Sequence, residues 1–268
     1  MTSSPEKQPV TGWQRSLVIG IDRSVYGLSK HWLAVFNTII FIYVALPILA
    51  PVLMNAGLLG PARVIYTVYS PLCHQMAQRS FFLFGEQSAY PRALAGTNLK
   101  PIESYTDQIP EFSNVEEGNW PAFFFAARSF LGNEQMGYKM ALCERDIGIY
   151  GFVLIGGLLY AMLRNRVKIR PLPLILFIII GMGPIALDGF SQLFGYWVAP
   201  TDGSEATGVA AMIQTVLPLR ESTPFLRAFT GAWFGLMLVW LAYPQINKGM
   251  KGTEQSLGEK LRGIGAIK

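Results

Sequence analysis

The chain is poor in charge and in the residues that most often do chemistry. Only 15% of its 268 residues are charged and 51% are hydrophobic, whereas an average soluble domain carries about 25% charged residues. It has two cysteines, Cys73 and Cys143, and two histidines, His31 and His74. There is no Walker-type glycine loop, no Gly-x-Gly-x-x-Gly, no His-Glu-x-x-His and no Gly-x-Ser-x-Gly, so no motif names a nucleophile or a base. No repeat of fixed period and no low-complexity tract occurs. The first apolar run follows a polar lead, residues 1–32, and lacks an Ala-x-Ala-like site at its end. It reads as a retained helix rather than a cleaved signal peptide.

Four apolar stretches stand out: Leu33–Gly57, Ile147–Leu163, Leu172–Leu187 and Phe225–Gln245. A bilayer core of about 30 Å needs roughly 20 mostly apolar residues per helix, so the second and third must borrow from their flanks. In lipid an isolated segment satisfies its own backbone only as a helix. The expected fold is therefore an all-α membrane protein, with four transmembrane helices and a large irregular outer loop region containing short amphipathic helices.

The formal charge of +5 does not point to nucleic acid, because the charge sits on one side of the helix count. Lys7, Arg15, Arg23 and Lys30 precede the first span. Arg164, Arg166, Lys168 and Arg170 lie between the second and third. Lys248, Lys251, Lys260, Arg262 and Lys268 follow the fourth, so these groups hold 13 of the 22 basic residues. Cytoplasmic loops are the ones enriched in Lys and Arg. The expected arrangement is a multi-pass protein of a prokaryotic plasma membrane: a cytoplasmic segment 1–32, a transmembrane domain 33–245 with an outer lobe 58–146 inserted after its first helix, and a basic cytoplasmic tail 246–268.

Within the outer segment, Val64, Ile65, Val68, Tyr69 and Leu72 recur at helical spacing, predicting a short amphipathic helix that ends near Pro71. Residues 86–119 are punctuated by Pro91, Gly96, Pro101, Pro110 and Gly118, and 190–224 contain Pro200-Thr201-Asp202-Gly203-Ser204; both read as irregular. The run Phe123-Phe124-Phe125 suits either the headgroup level or a small core outside the bilayer. In the spans, Gly148, Gly151, Gly156, Gly157 and the pair Gly231 and Gly235 favour close helix packing. Pro184 is expected to kink or end the third span just before Asp188.

The polar residues at the outer span ends are Cys73, His74, Gln75, Arg79, Cys143, Glu144, Arg145, Asp146, Asp188, Gln192, Arg220, Glu221 and Arg227. Ionisable groups there are costly unless paired, which makes each a functional candidate. The bland alternative is an ion-pair network of Arg79, Arg145, Asp146, Asp188 and Arg227 that fixes helix packing. Asp146 also suits the N-cap of the second span.

In order, Tyr69-Ser70-Pro71-Leu72-Cys73-His74-Gln75, Arg79-Ser80-Phe81-Phe82-Leu83-Phe84-Gly85, Cys143-Glu144-Arg145-Asp146-Ile147-Gly148-Ile149-Tyr150-Gly151, Asp188-Gly189-Phe190-Ser191-Gln192, and Arg220-Glu221-Ser222 with Arg227-Ala228-Phe229-Thr230-Gly231 resemble a family of prokaryotic membrane proteins catalogued as a domain of unknown function (DUF2085). The resemblance implies a family and no activity. It also implies a second cysteine where Asp146 stands, so this chain departs from a Cys-x-x-Cys pattern, although a carboxylate also binds zinc.

Three readings of the cysteines stand side by side. They are a disulfide between Cys73 and Cys143, two inert buried thiols, or a metal or redox site, with zinc as the metal, made of Cys73, His74, Cys143 and Asp146. An intrachain bis-histidine haem is excluded because His31 and His74 fall at opposite ends of the bundle. His31 reads as an interfacial residue beside Trp32.

The leading functional expectation is a structural or accessory membrane component whose partners are lipid and other subunits of a membrane complex, not nucleic acid. The alternative is a metal- or thiol-dependent membrane enzyme at the outer face, with Arg145 and Asp188 as the candidate catalytic groups. Four spans without an internal repeat are few for a secondary transporter. The topology is open to a direct check: a reporter fused after Gly118 is expected to be active only outside the cytoplasm, and a cytoplasmic signal there overturns the arrangement.

Overall fold

The computed structural model describes residues 12–116, 119–200, 206–216 and 218–268. Lys7, Gly118 and Thr201 to Ser204 lie outside the described residues. Among the described residues four helices are long and apolar enough to cross a membrane: α1 (Gly12–Asn55), α4 (Glu144–Leu163), α5 (Leu174–Trp197) and α7 (Pro224–Gly263). Shorter elements are α2 (Leu59–Tyr69), β1 (Ser80–Leu83), α3 (Trp120–Ser129), β2 (Gly132–Asn133), β3 (Gly137–Cys143) and α6 (Gly208–Val216). The molecule is mostly helical, as expected, but it adds a small antiparallel sheet of order β1-β3-β2. The strands are short, and β3 puts Lys139 at a buried position and Tyr138 and Met140 at half-buried ones, so its sequence lacks the apolar–polar alternation that marks a half-exposed strand.

Helices α1 and α7 do not stop where their apolar runs stop. At 44 and 40 residues they are about 66 and 60 Å long, roughly twice a bilayer core. Beyond the spans they continue as an antiparallel pair. Lys260 bonds Asp22 at 2.7 Å, Trp32 Nε1 donates to Asn247 Oδ1 at 3.4 Å, and Leu261 is fully buried. His31 is exposed here, whereas its neighbour Trp32 is buried against Tyr160 and Tyr243. At its other end α1 closes with Gly57 in the left-handed region (φ 76°), where Gly57 N bonds Met54 O and Leu58 N bonds Leu53 O. This Schellman arrangement needs a residue without a Cβ penalty.

Proline organises the spans. A proline inside a helix leaves the carbonyl four residues before it without its usual donor, and lipid offers no replacement. Pro47 frees the carbonyl of Tyr43, which accepts from Tyr69 Oη of α2 at 2.8 Å. Pro184 deprives Ile180 O, which accepts from Trp233 Nε1 of α7 at 2.6 Å. Pro244 deprives Trp240 O, which accepts from Leu172 N at 3.3 Å. Pro184 does not end the third span: a π-helical turn, Phe177–Met182, precedes it, and the helix continues to Trp197. The wider turn absorbs the missing bond.

Helices α4 and α7 make the closest contact. A Cβ on Gly231 would lie 2.3 Å from Arg145 O, one on Gly235 2.3 Å from Ile149 O, and one on Gly148 2.4 Å from Ala228 O. The small-residue pattern is thus used inside the chain, where backbones meet directly. Gly151, by contrast, faces open space.

The lobe between α1 and α4 has its own core, built from residues that include Phe82, Tyr90, Ile102, Tyr105, Phe112, Phe123, Phe130 and Met136. Phe123 belongs to that core, whereas Phe125 is 71% exposed. Helix α2 runs to Tyr69 and lays Ala62, Tyr66 and Tyr69 against α1 and β3. Replacing Tyr69 with Phe keeps the ring and removes the donor to Tyr43 O. It is expected to destabilise the protein by about 1–3 kcal/mol, read as a lower melting temperature in detergent; unchanged melting would show that the freed carbonyl needs no partner.

Candidate functional site

Two chain segments far apart in sequence meet at the lobe end of the bundle. The first is the turn after α2, Leu72 to Met76; the second is the junction of β3 and α4. Gln75 fixes the first. It is a non-glycine residue at φ 52° and 4% exposed, a conformation that persists only when its surroundings hold it. Its side-chain amide donates to Tyr66 O at 2.9 Å and Ala141 O at 3.0 Å. Its carbonyl accepts from Lys139 Nζ, which also donates to Ala127 O at 3.3 Å and Arg128 O at 2.7 Å. Lys139 is fully buried. Sequence reasoning did not single it out, because a lone lysine in a strand carries no motif.

This clamp brings Cys73 beside Cys143. Their sulfurs are not bonded to each other in this structure. A sulfur from each and a carboxylate oxygen of Asp146 all lie within 4.8 Å of one another. Cys73 Sγ accepts from Cys143 N at 3.2 Å and Gln75 N at 3.5 Å, and the single proton of the Cys143 thiol is shared between Cys73 Sγ and Asp146 Oδ2, the latter at 3.1 Å. The Cys73 thiol is held below its ordinary range by the hydrogen bond from the Cys143 thiol, which with the Gln75 N–H outweighs burial; Cys143 is pushed up correspondingly. Asp146 is not the N-cap of α4. Cys143 holds that position, and Asp146, three residues on, turns to its thiol instead.

The three donors line a cavity of about 540 Å³ that also receives His74, Arg79, Arg145, Gln192, Tyr196 and Arg227. His74 is exposed on this wall and lies outside the three-donor cluster.

Two ion-pair networks surround the cavity. In one, Asp188, 5% exposed on α5, receives Arg145 on Oδ2 and Arg220 on Oδ1 at 2.7 Å, and Arg220 also donates to Ser191 Oγ at 2.9 Å. In the other, Arg227 joins Glu144 at 3.3 Å and Glu221, while Glu221 also receives Arg79 at 2.7 Å and the Tyr196 hydroxyl. Asp146 takes part in neither. The acids paired with Arg227 are Glu144 and Glu221, both buried, which sequence reasoning noted as polar residues but left out of the network. Only the folded chain decides which acid each arginine meets.

Burial works to raise the Glu221 carboxyl, but Arg79 and Arg227 outweigh it and hold the group below the usual carboxylate range. A folded-state pKa below the unfolded one contributes stability above the unfolded value, which is lost as pH falls through the folded value. Glu221→Gln is therefore expected to cost about 3–5 kcal/mol at neutral pH, since it leaves the buried Arg227 and the half-buried Arg79 short of a partner. It should also weaken the loss of stability on the acid side of the ordinary carboxylate range. Melting curves against pH check both, and an unchanged profile overturns the assignment.

Residues 126–241 match the family model described as predicted membrane protein (DUF2085). The chain is also 25% identical over 222 residues to the uncharacterized protein MJ1492 of Methanocaldococcus jannaschii, an alignment covering 81% of this chain and 93% of that protein. No solved structure matches. The matched region carries Cys143, Arg145, Asp146, Asp188, Gln192, Arg220, Glu221 and Arg227, while Cys73, His74 and Arg79 precede it. Over residues 126–241 the chain is thus similar to the DUF2085 family of predicted membrane proteins.

Proposed function

We propose that this multi-pass membrane protein binds a thiophilic divalent metal, zinc in class, through Cys73, Cys143 and Asp146 at its lobe end, with the lobe outside the cytoplasm and both termini inside. The observation that carries the reading is the convergence of two sulfurs and a carboxylate oxygen within 4.8 Å on the wall of an open cavity. Thiolates select zinc over harder cations. Three protein donors with a cavity beside them match the pattern of catalytic rather than closed structural zinc sites. When bound, the metal would supply Lewis acidity to an oxygen of a molecule held in the cavity. Arg145, Gln192 and Tyr196 line the same space and would orient such a molecule.

A second reading, a structural or accessory component of a larger membrane assembly, is supported by the two ion-pair networks. They tie α4, α5, α7 and the segment before α7 together at one level. It predicts no bound metal and no change in thiol protection with chelator.

Elemental analysis of protein purified without chelator separates the two. The metal reading expects about one zinc per chain and thiols that resist alkylation until a chelator is added. Cys143→Ser and Asp146→Ala should each reduce the metal content. Metal-free protein whose thiols alkylate at once overturns it, and a reduction-sensitive mobility shift on electrophoresis assigns the cysteines to a disulfide instead.

A further inference from the structure

The two ends of the bundle differ in how their charge is balanced. At the lobe end Arg79, Arg145, Arg220 and Arg227 are matched by Asp188, Glu144 and Glu221, with Asp146 close by. At the opposite end a second cavity, of about 530 Å³, is bounded by the end of α4, the loop that follows it and the stretch of α7 just past Pro244. Arg164, Lys168, Lys248 and Lys251 line it, and among the described residues no aspartate or glutamate does. Among the described residues none of these four cations is within ion-pair distance of a carboxylate; Arg164 donates instead to Asn247 Oδ1 at 3.3 Å. Lys248 and Lys251 lie within one turn of α7, and Lys168 approaches from the loop. Three exposed ammonium groups and a guanidinium are thus held around one space, where their mutual repulsion calls for an anion.

The surroundings decide which kind. Tyr160 and Pro244, buried in the spans, form the apolar side of the cavity. Beside it Met162, Leu163 and Val167 are 66%, 43% and 55% exposed, a ready surface for acyl chains. Trp240, one turn before Pro244 and 46% exposed, donates its indole N–H to Arg170 O at 3.0 Å, the position of a tryptophan at the membrane–water interface. The cations therefore stand at headgroup depth next to lipid-facing apolar residues. A basic pocket between helices at that level is suited to a phospholipid phosphate.

We infer that this termini-end cavity is a binding site for the phosphate headgroup of an acidic phospholipid, held by Lys168, Lys248, Lys251 and Arg164. The site is independent of the metal reading at the other end. It also gives the continuation of α7 beyond the bilayer a role, because that continuation carries Lys248 and Lys251 into place.

The test uses the full chain reconstituted into phosphatidylcholine vesicles containing about a fifth phosphatidylglycerol, followed by gentle re-extraction and quantification of the lipid that stays with the protein. Phosphatidylglycerol is expected to be enriched over its share of the bilayer. The variant Lys168→Gln/Lys248→Gln/Lys251→Gln should lose that enrichment by at least about fivefold. Arg15→Gln/Arg166→Gln/Arg170→Gln removes the same charge from residues that do not line the cavity and should retain it. Equal enrichment in both triple variants and the parent overturns the site, and equal loss in both reduces it to net charge. Inorganic phosphate is the remaining arm: if it abolishes enrichment where chloride of the same ionic strength does not, the cavity serves a soluble anion rather than a lipid.

Discussion

The arrangement of the spans depends on one constraint: a backbone carbonyl in lipid must have a donor. Prolines at 47, 184 and 244 each withdraw one. Each vacancy is filled from a different element: a tyrosine hydroxyl of α2, an indole of α7, and the backbone N–H of Leu172 in the loop before α5. These bonds are also docking instructions. Tyr69 seats α2 on α1, Trp233 joins α5 to α7, and Leu172 sets where the third span begins against the fourth. Residues that weaken single helices thus specify how helices assemble.

The lobe acts as a brace for the lobe-end cavity. Lys139 and Gln75 have no role as isolated residues, yet together they lock the turn after α2 onto β3, and β3 passes directly into α4 at Cys143. Cys73 and Cys143 meet because this clamp is rigid and buried. The close contact of α4 with α7 at Gly231 and Gly235 does the corresponding work inside the bilayer. It sets Arg145 and Glu144 at the level of Asp188, Glu221 and Arg227.

Charge is handled in opposite ways at the two ends. At the lobe end arginines and carboxylates are drawn from α4, α5, α7 and the segments between them into paired sets, in which Asp188, Glu144, Glu221 and Arg227 are buried and Arg145 and Arg220 are half-buried. Such sets offset their desolvation only while complete. At the other end Lys168, Lys248 and Lys251 remain exposed and, among the described residues, without acid partners, where headgroups and solvent are available to balance them. The first pattern makes a rigid site, and the second makes a surface that answers to lipid composition.

Local chemistry determined much by itself. Apolar length set four membrane-crossing helices, the spacing of Val64, Ile65, Val68, Tyr69 and Leu72 set the short helix α2, and glycine content set close packing, because each is a property of a contiguous stretch; the face that α2 buries is instead Ala62, Tyr66 and Tyr69, while Val64, Val68 and Leu72 stay exposed. The residues of the candidate site were also visible, since polar groups at span ends stand out against an apolar chain. Their pairing was not. That Asp146 turns to Cys143, that Arg227 is held by Glu144 and Glu221, that His74 stays outside the three-donor cluster, and that Lys139 holds the turn beside Cys73 are outcomes of packing. The small sheet also escaped the sequence pattern, because the buried face of β3 carries Lys139 while its half-buried face carries Tyr138 and Met140, the reverse of an apolar–polar alternation. Partners such as Arg145 and Asp188, 43 positions apart, and Gln78 and Arg227, 149 apart, are chosen by the geometry of helices meeting at glycines and prolines. Only the tertiary structure decides that geometry, because a hydrogen bond or ion pair depends on position in space and leaves no periodic trace in the sequence.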